Sequence, residues 1–153
     1  AVSKKRKSKL EAIKADEVSA ASFKHFKVPV GWRVIEPAPA RRITDVSKLK
    51  LRSFHKKGEG PINGGVMRER AKEMGCDFGL EDLEYFLEHQ DEIPEKFWNP
   101  SIYLVFPGTV LEDSDGRRYV AYLYWYGGRW YLYFDWLVYD WDSSGRFPFP
   151  PKS

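Results

Sequence analysis

The spacing of apolar residues changes along this 153-residue chain. Between residues 64 and 93 it is helical. Met67, Ala71 and Met74 recur at i, i+4 and i+7 and share one face of a short helix. Gly75 follows them, where a left-handed C-cap suits a residue without Cβ. Leu80, Leu83, Phe86 and Leu87 form the stripe of a second helix, with Glu81, Asp82 and Glu84 at its electropositive start and Pro94 as a stop. The spacing predicts that the two pack as a helical hairpin covering a sheet. From residue 101 the period becomes two. SIYLVFPGTVLED predicts a strand interrupted by a bulge or bend at Pro107-Gly108, and DSDG a turn. RRYVAYLYWY and RWYLYFDWLVY predict a hairpin closed at Gly127-Gly128, where glycine supplies positive φ.

Earlier segments carry weaker patterns. Trp32–Ile35 is β-prone, and Pro37 and Pro39 then bar helix or central strand, so residues 28–62 predict one or two peripheral strands. GEGPINGG reads as a flexible connector, since it lacks the Lys-Ser/Thr ending of a phosphate loop. The tail DWDSSGRFPFPPKS reads as turn-forming and then proline-rich. Residues 1–27 read as a basic, partly disordered arm with a weak helix, and residues 28–153 as a single domain. The fold class is α+β: two short helices packed on an antiparallel meander of at least three strands.

The hairpin has two unlike faces. Tyr119, Ala121, Leu123, Trp125, Trp130, Leu132, Phe134 and Trp136 share one, which should pack onto the two helices. Tyr122, Tyr124, Tyr131 and Tyr133 lie on the other, with their hydroxyls toward water. Both faces are apolar enough to bury, so the pattern leaves the inward one open. The segment WRVIEPAPARRI is a candidate to cover the tyrosines. Glu81, Glu84 and Glu88 should form a solvated helix face.

Charge adds an asymmetry that the net value of +3 conceals. Residues 1–60 carry a balance of +10 and residues 61–153 one of −7. A basic front suits either a polyanion or attraction to the acidic back. Of 25 aromatic residues, 18 lie from Phe97 onward, which concentrates the contact chemistry in the same acidic half. One cysteine excludes an internal disulfide, and no apolar run follows the basic start, so the expected setting is cytoplasmic with no membrane segment.

Candidate chemistry is sparse. His25, His55, His89 and Cys76 lack metal-ligand spacing, and no base adjoins Cys76, so no catalytic residue, metal or cofactor is assigned. The acidic second helix opposes DNA recognition by a helix-turn-helix. Three function classes stay open. The favoured one is a non-enzymatic protein-interaction module, binding a protein partner or a second copy through Tyr122, Tyr124, Tyr131 and Tyr133, flanked by Arg118 and Arg129. The alternative is nucleic-acid binding by Lys4, Lys5, Arg6, Lys7 and Lys9 with aromatic stacking. An enzyme of unrecognised type is the third.

EHQ-x-EIP, YLVFPGTV and GGRWYLYFDWL, all within the C-terminal half, together resemble conserved-hypothetical small proteins of candidate-phylum (Parcubacteria-like) bacteria. The resemblance implies a bacterial, cytosolic origin. It transfers no activity and no functional residues.

Overall fold

The alternation of apolar residues in the strand Tyr103–Glu112 organises the molecule, because both of its faces are buried. The computed structural model describes residues 23–150. Its strands are β1 (Arg33–Glu36), β2 (Lys50–Ser53), β3 (Ile62–Asn63), β4 (Tyr103–Glu112), β5 (Arg118–Tyr126), β6 (Arg129–Trp136), β7 (Asp140–Trp141) and β8 (Gly145–Phe149). Two α-helices, α1 (Gly64–Met74) and α2 (Leu80–Glu88), precede β4. The main sheet runs β2-β8-β4-β5-β6, with β1 also paired to β4, and β3 and β7 form a separate small ladder. All pairings are antiparallel except β4 with β8.

Alternate residues of β4 and β5 feed two cores. Leu104, Phe106, Leu111, Ala121 and Leu123 meet Leu80, Leu83, Phe86 and Leu87 of α2. Val105, Val110 and Val120 meet Met67 and Ala71 of α1, together with Trp141 and Phe147. The helices therefore lie on opposite faces of the sheet. This corrects the helical hairpin expected on one face. The Trp/Leu face of the β5–β6 hairpin packs on α2 alone.

The reason is a gap in the sheet. On its edge away from β5, β4 pairs with β8 at Tyr103 and Leu104 and with β1 from Val110 to Glu112. Between these stretches it bulges: Phe106 opposes Ala121 but Leu111 opposes Tyr119. The α1–α2 connection crosses the sheet there. Gly75 ends α1 in the left-handed region at φ 69°. The Gly108 N–H donates to Phe78 O at 2.8 Å, and the Thr109 hydroxyl accepts the first N–H of α2, from Leu80, at 3.0 Å.

The acidic residues of α2 are not a solvated face as a group. Asp82 is buried and accepts backbone N–H bonds from Arg42 (2.9 Å) and Ile43 (2.8 Å). Glu81 accepts from Arg41 N–H, and Glu84 from the N–H groups of Lys24 and His25. Only Glu81 and Glu88 of the three glutamates keep exposed side chains. This helix supplies acceptors to backbone donors of an N-terminal segment without a continuous ladder of its own, and the one it serves in the interior, Ile43 N–H, is the one that most needs a partner. Phe23 and Phe26 stack at 4.7 Å and pack into the α2 core, so residues 23–27 of the sequence-read arm join the domain.

Two further elements depart from the reading of the sequence. GEGPINGG is not wholly a connector, since Ile62 and Asn63 pair with Trp141 and Asp140, and Asn63 caps α1 at Val66 N–H. The proline-bearing tail contains β8, with Phe147 fully buried. Pro148 is tolerated because β8 pairs with β4 only at Gly145 and Arg146, so beyond those positions one side of the strand needs no donor.

Candidate functional site

The β5–β6 hairpin closes as its sequence predicts. Gly127 and Gly128 have φ 60° and 86°, and the register pairs Tyr122 with Tyr133 and Tyr124 with Tyr131. Cross-strand aromatic pairs contribute about 0.2–1 kcal/mol each. Tyr122 stacks on Tyr133 at 5.4 Å, and Tyr124 lies parallel to Tyr126 at 6.3 Å.

Burial along this face is graded. Val120 is fully buried under α1. Tyr122 is half-buried, with Trp141 edge-on at 6.1 Å. Toward the turn the cover ends: Tyr124 is half-buried, while Tyr126, Tyr131 and Tyr133 are 62%, 38% and 45% exposed. Helix length accounts for the gradient. The 11 residues of α1 extend about 16 Å, and they are spent over β4 and the root of β5. WRVIEPAPARRI does not cover the strip. Its Trp32 stacks on Tyr119 at 4.0 Å and its Ile43 is buried in the α2 core, both on the opposite face.

The flanking arginines are not brought together. Arg118 stands at the far end of β5, 3.7 Å from Glu112, which also pairs with Arg33 at 2.9 Å. Arg129 is exposed beside the Gly-Gly turn. Lys4, Lys5, Arg6, Lys7 and Lys9 lie outside the described residues.

An adjoining cleft of about 210 Å³ is lined by Tyr103, Tyr122, Asp135, Asp140, Trp141 and Asp142. Burial raises the pKa of the Tyr103 and Tyr122 hydroxyls, and nearby carboxylates add to the shift, Asp142 for the first and Asp135 for the second. Both phenols therefore stay protonated. Sequence reasoning missed this grouping, although YDWDSSG places two carboxylates around Trp141. The cleft forms only once β7 pairs with β3, a contact between residues almost 80 positions apart.

Other reactive groups are separately engaged. Cys76 is buried, its thiol pushed up to about 11 chiefly by desolvation, and it faces the Met74 carbonyl. His55 Nε2 contacts Trp141 O, and His89 Nδ1 contacts Tyr85 O. Among the described residues, no group of three or more His, Cys, Asp or Glu side chains is placed to hold a metal ion, and no helix is long and apolar enough to cross a membrane. Comparison with protein-family models, curated proteins and solved structures finds no match to this chain.

Proposed function

We propose that this protein is a non-enzymatic protein-interaction module whose contact surface is the tyrosine strip at the turn end of β5–β6. The observation that carries this reading is the contiguous exposure of Tyr126, Tyr131 and Tyr133 beside half-buried Tyr124. Tyrosines held by a rigid ladder lose little side-chain freedom on binding, and such residues dominate interface energetics. Asp135, Asp140 and Asp142 border the strip and favour a partner with cationic or neutral groups over a polyanion. A reduced, buried Cys76 suits a cytoplasmic setting.

The test pairs binding with folding. Tyr124→Ser/Tyr126→Ser should weaken partner capture at least about 30-fold, the equivalent of about 2 kcal/mol. Its circular dichroism melt should stay within a few degrees of wild type. Undiminished capture, or loss of binding only through unfolding, would refute the reading. Nucleic acid recovered at low salt and shed at high salt would support the basic-arm alternative instead.

A further inference from the structure

Strand β6 is the last strand of the sheet, with β5 as its one neighbour among the described residues. The turn fixes which of its backbone groups are free. Tyr126 and Arg129 flank a two-residue loop and so form a hydrogen-bonded pair. Arg129, Tyr131, Tyr133 and Asp135 then point their N–H and C=O groups at β5. Trp130, Leu132 and Phe134 point theirs outward. Trp136 would be next, but its N–H donates to Asp135 Oδ1 at 2.8 Å and its carbonyl accepts from Tyr139 N–H at 3.1 Å. Three residues thus offer three donors and three acceptors along an open edge. The strand has neither proline nor lysine, the usual guards against edge pairing.

The seven residues Arg129–Asp135 read R-W-Y-L-Y-F-D. They are self-complementary about Leu132. Antiparallel pairing with a second copy on that centre sets Trp130 opposite Phe134, Tyr131 opposite Tyr133 and Arg129 opposite Asp135. All three outward residues then find backbone partners, giving six inter-chain hydrogen bonds. Centring on Tyr131 would set Phe134 against Gly128 in the turn, and centring on Tyr133 would set Trp130 against the spent groups of Trp136. The charges match on the Leu132 centre alone. Neither Arg129 nor Asp135 forms an ion pair with another described residue. Both would sit in non-hydrogen-bonded pairs, where side chains approach most closely.

We propose that the protein forms a two-fold symmetric dimer by antiparallel pairing of β6 with β6 of a second copy, centred on Leu132. The contact is isologous, as closed dimers require, and it joins the two tyrosine strips on one continuous sheet. The inference goes beyond the proposed function, because it stands on the strand's edge and not on its face.

Sedimentation velocity of the full chain over a concentration series tests it. The wild type should dimerise reversibly. Arg129→Asp and Asp135→Arg each place two like-charged pairs in the symmetric dimer, and each should weaken dimerisation at least tenfold. Mixed in equal amounts, the two variants should recover the dimer as a heterodimer with both pairs matched. Asp135→Asn, which keeps the acceptor for Trp136 N–H, should weaken dimerisation without lowering the melting temperature of the monomer, read at concentrations too low for the wild type to dimerise. Tyr124→Ser/Tyr126→Ser should still dimerise, so loss of partner capture and loss of edge pairing are read separately. A wild type that stays monomeric, a dimer indifferent to both reversals, or a mixture that fails to recover it would each overturn the proposal.

Discussion

Gly108→Ala is expected to destabilise the fold by about 2–6 kcal/mol, a large part of the 5–15 kcal/mol that holds a typical domain together. A Cβ at this position would lie 2.1 Å from Asp77 O and 2.8 Å from the carbonyl carbons of Asp77 and Phe78. These are backbone atoms of the segment that crosses the sheet, so they cannot swing aside as a side-chain tip would. Relief requires the crossing to move away from β4. That breaks the Gly108 N–H bond to Phe78 O, for about 1–3 kcal/mol, and adds overpacking of similar size. Gly128→Val is the informative comparison. Gly128 has φ 86° and, its two chain neighbours aside, no atom within 4 Å of its Cβ position, so its requirement is conformational and not spatial. That substitution should cost only about 1–2 kcal/mol. Urea unfolding of both variants checks the order, and equal losses would mean that the crossing is not tightly held.

The elements that periodicity could reach were those whose burial is one-sided or local. The stripe Leu80, Leu83, Phe86 and Leu87 is buried as its spacing requires, and the Gly127-Gly128 turn sits where two alternating runs meet. The helices' separation to opposite faces was not legible, because it depends on how residues 75–79 thread past the bulge of β4. The local trace of that event is three glycines: Gly75 and Gly108 read separately as a cap and part of a bend, and Gly79 stands at the opening of the second helix. At Gly79 a Cβ would fall 2.1 Å from Ala38 Cβ and 2.2 Å from Thr109 Oγ1, a constraint created wholly by distant chain. Strand β8 was hidden by Pro148 within it and by the prolines that follow it in the sequence. The tyrosine strip was legible as a face, but its openness was decided by where α1 runs out and where Trp32 goes, both tertiary facts. The complementarity of R-W-Y-L-Y-F-D was visible in the sequence, yet it acquires meaning only when β6 proves to be an edge strand.

Asp82→Ala is expected to cost about 2–4 kcal/mol, and Asp82→Asn less than about 1 kcal/mol. The carboxylate is 1% exposed and one of its oxygens, Oδ1, accepts both the Arg42 and Ile43 N–H groups. Alanine leaves both donors without an acceptor. The Ile43 group is buried and incurs the full penalty of about 1–3 kcal/mol, while the Arg42 group is partly buried and incurs less. Asparagine keeps a carbonyl oxygen for both and removes a buried charge. Desolvation raises the Asp82 pKa, against the opposing pull of the two N–H bonds and of Arg42 and Arg41. The sign of the pH dependence follows from that direction. The folded chain holds this proton to higher pH than the unfolded chain does. The group's contribution to stability is therefore complete below its ordinary value of 3.8 and declines as pH rises through the folded value. Asparagine cannot ionise, so the stability of Asp82→Asn relative to wild type should improve across that interval. Alanine should stay well below both at every pH. Chemical denaturation from pH 3 to 7 separates these outcomes. Equal destabilisation by asparagine and alanine would show that the negative charge of Asp82, and not its role as a shared acceptor, ties residues 42–43 to α2.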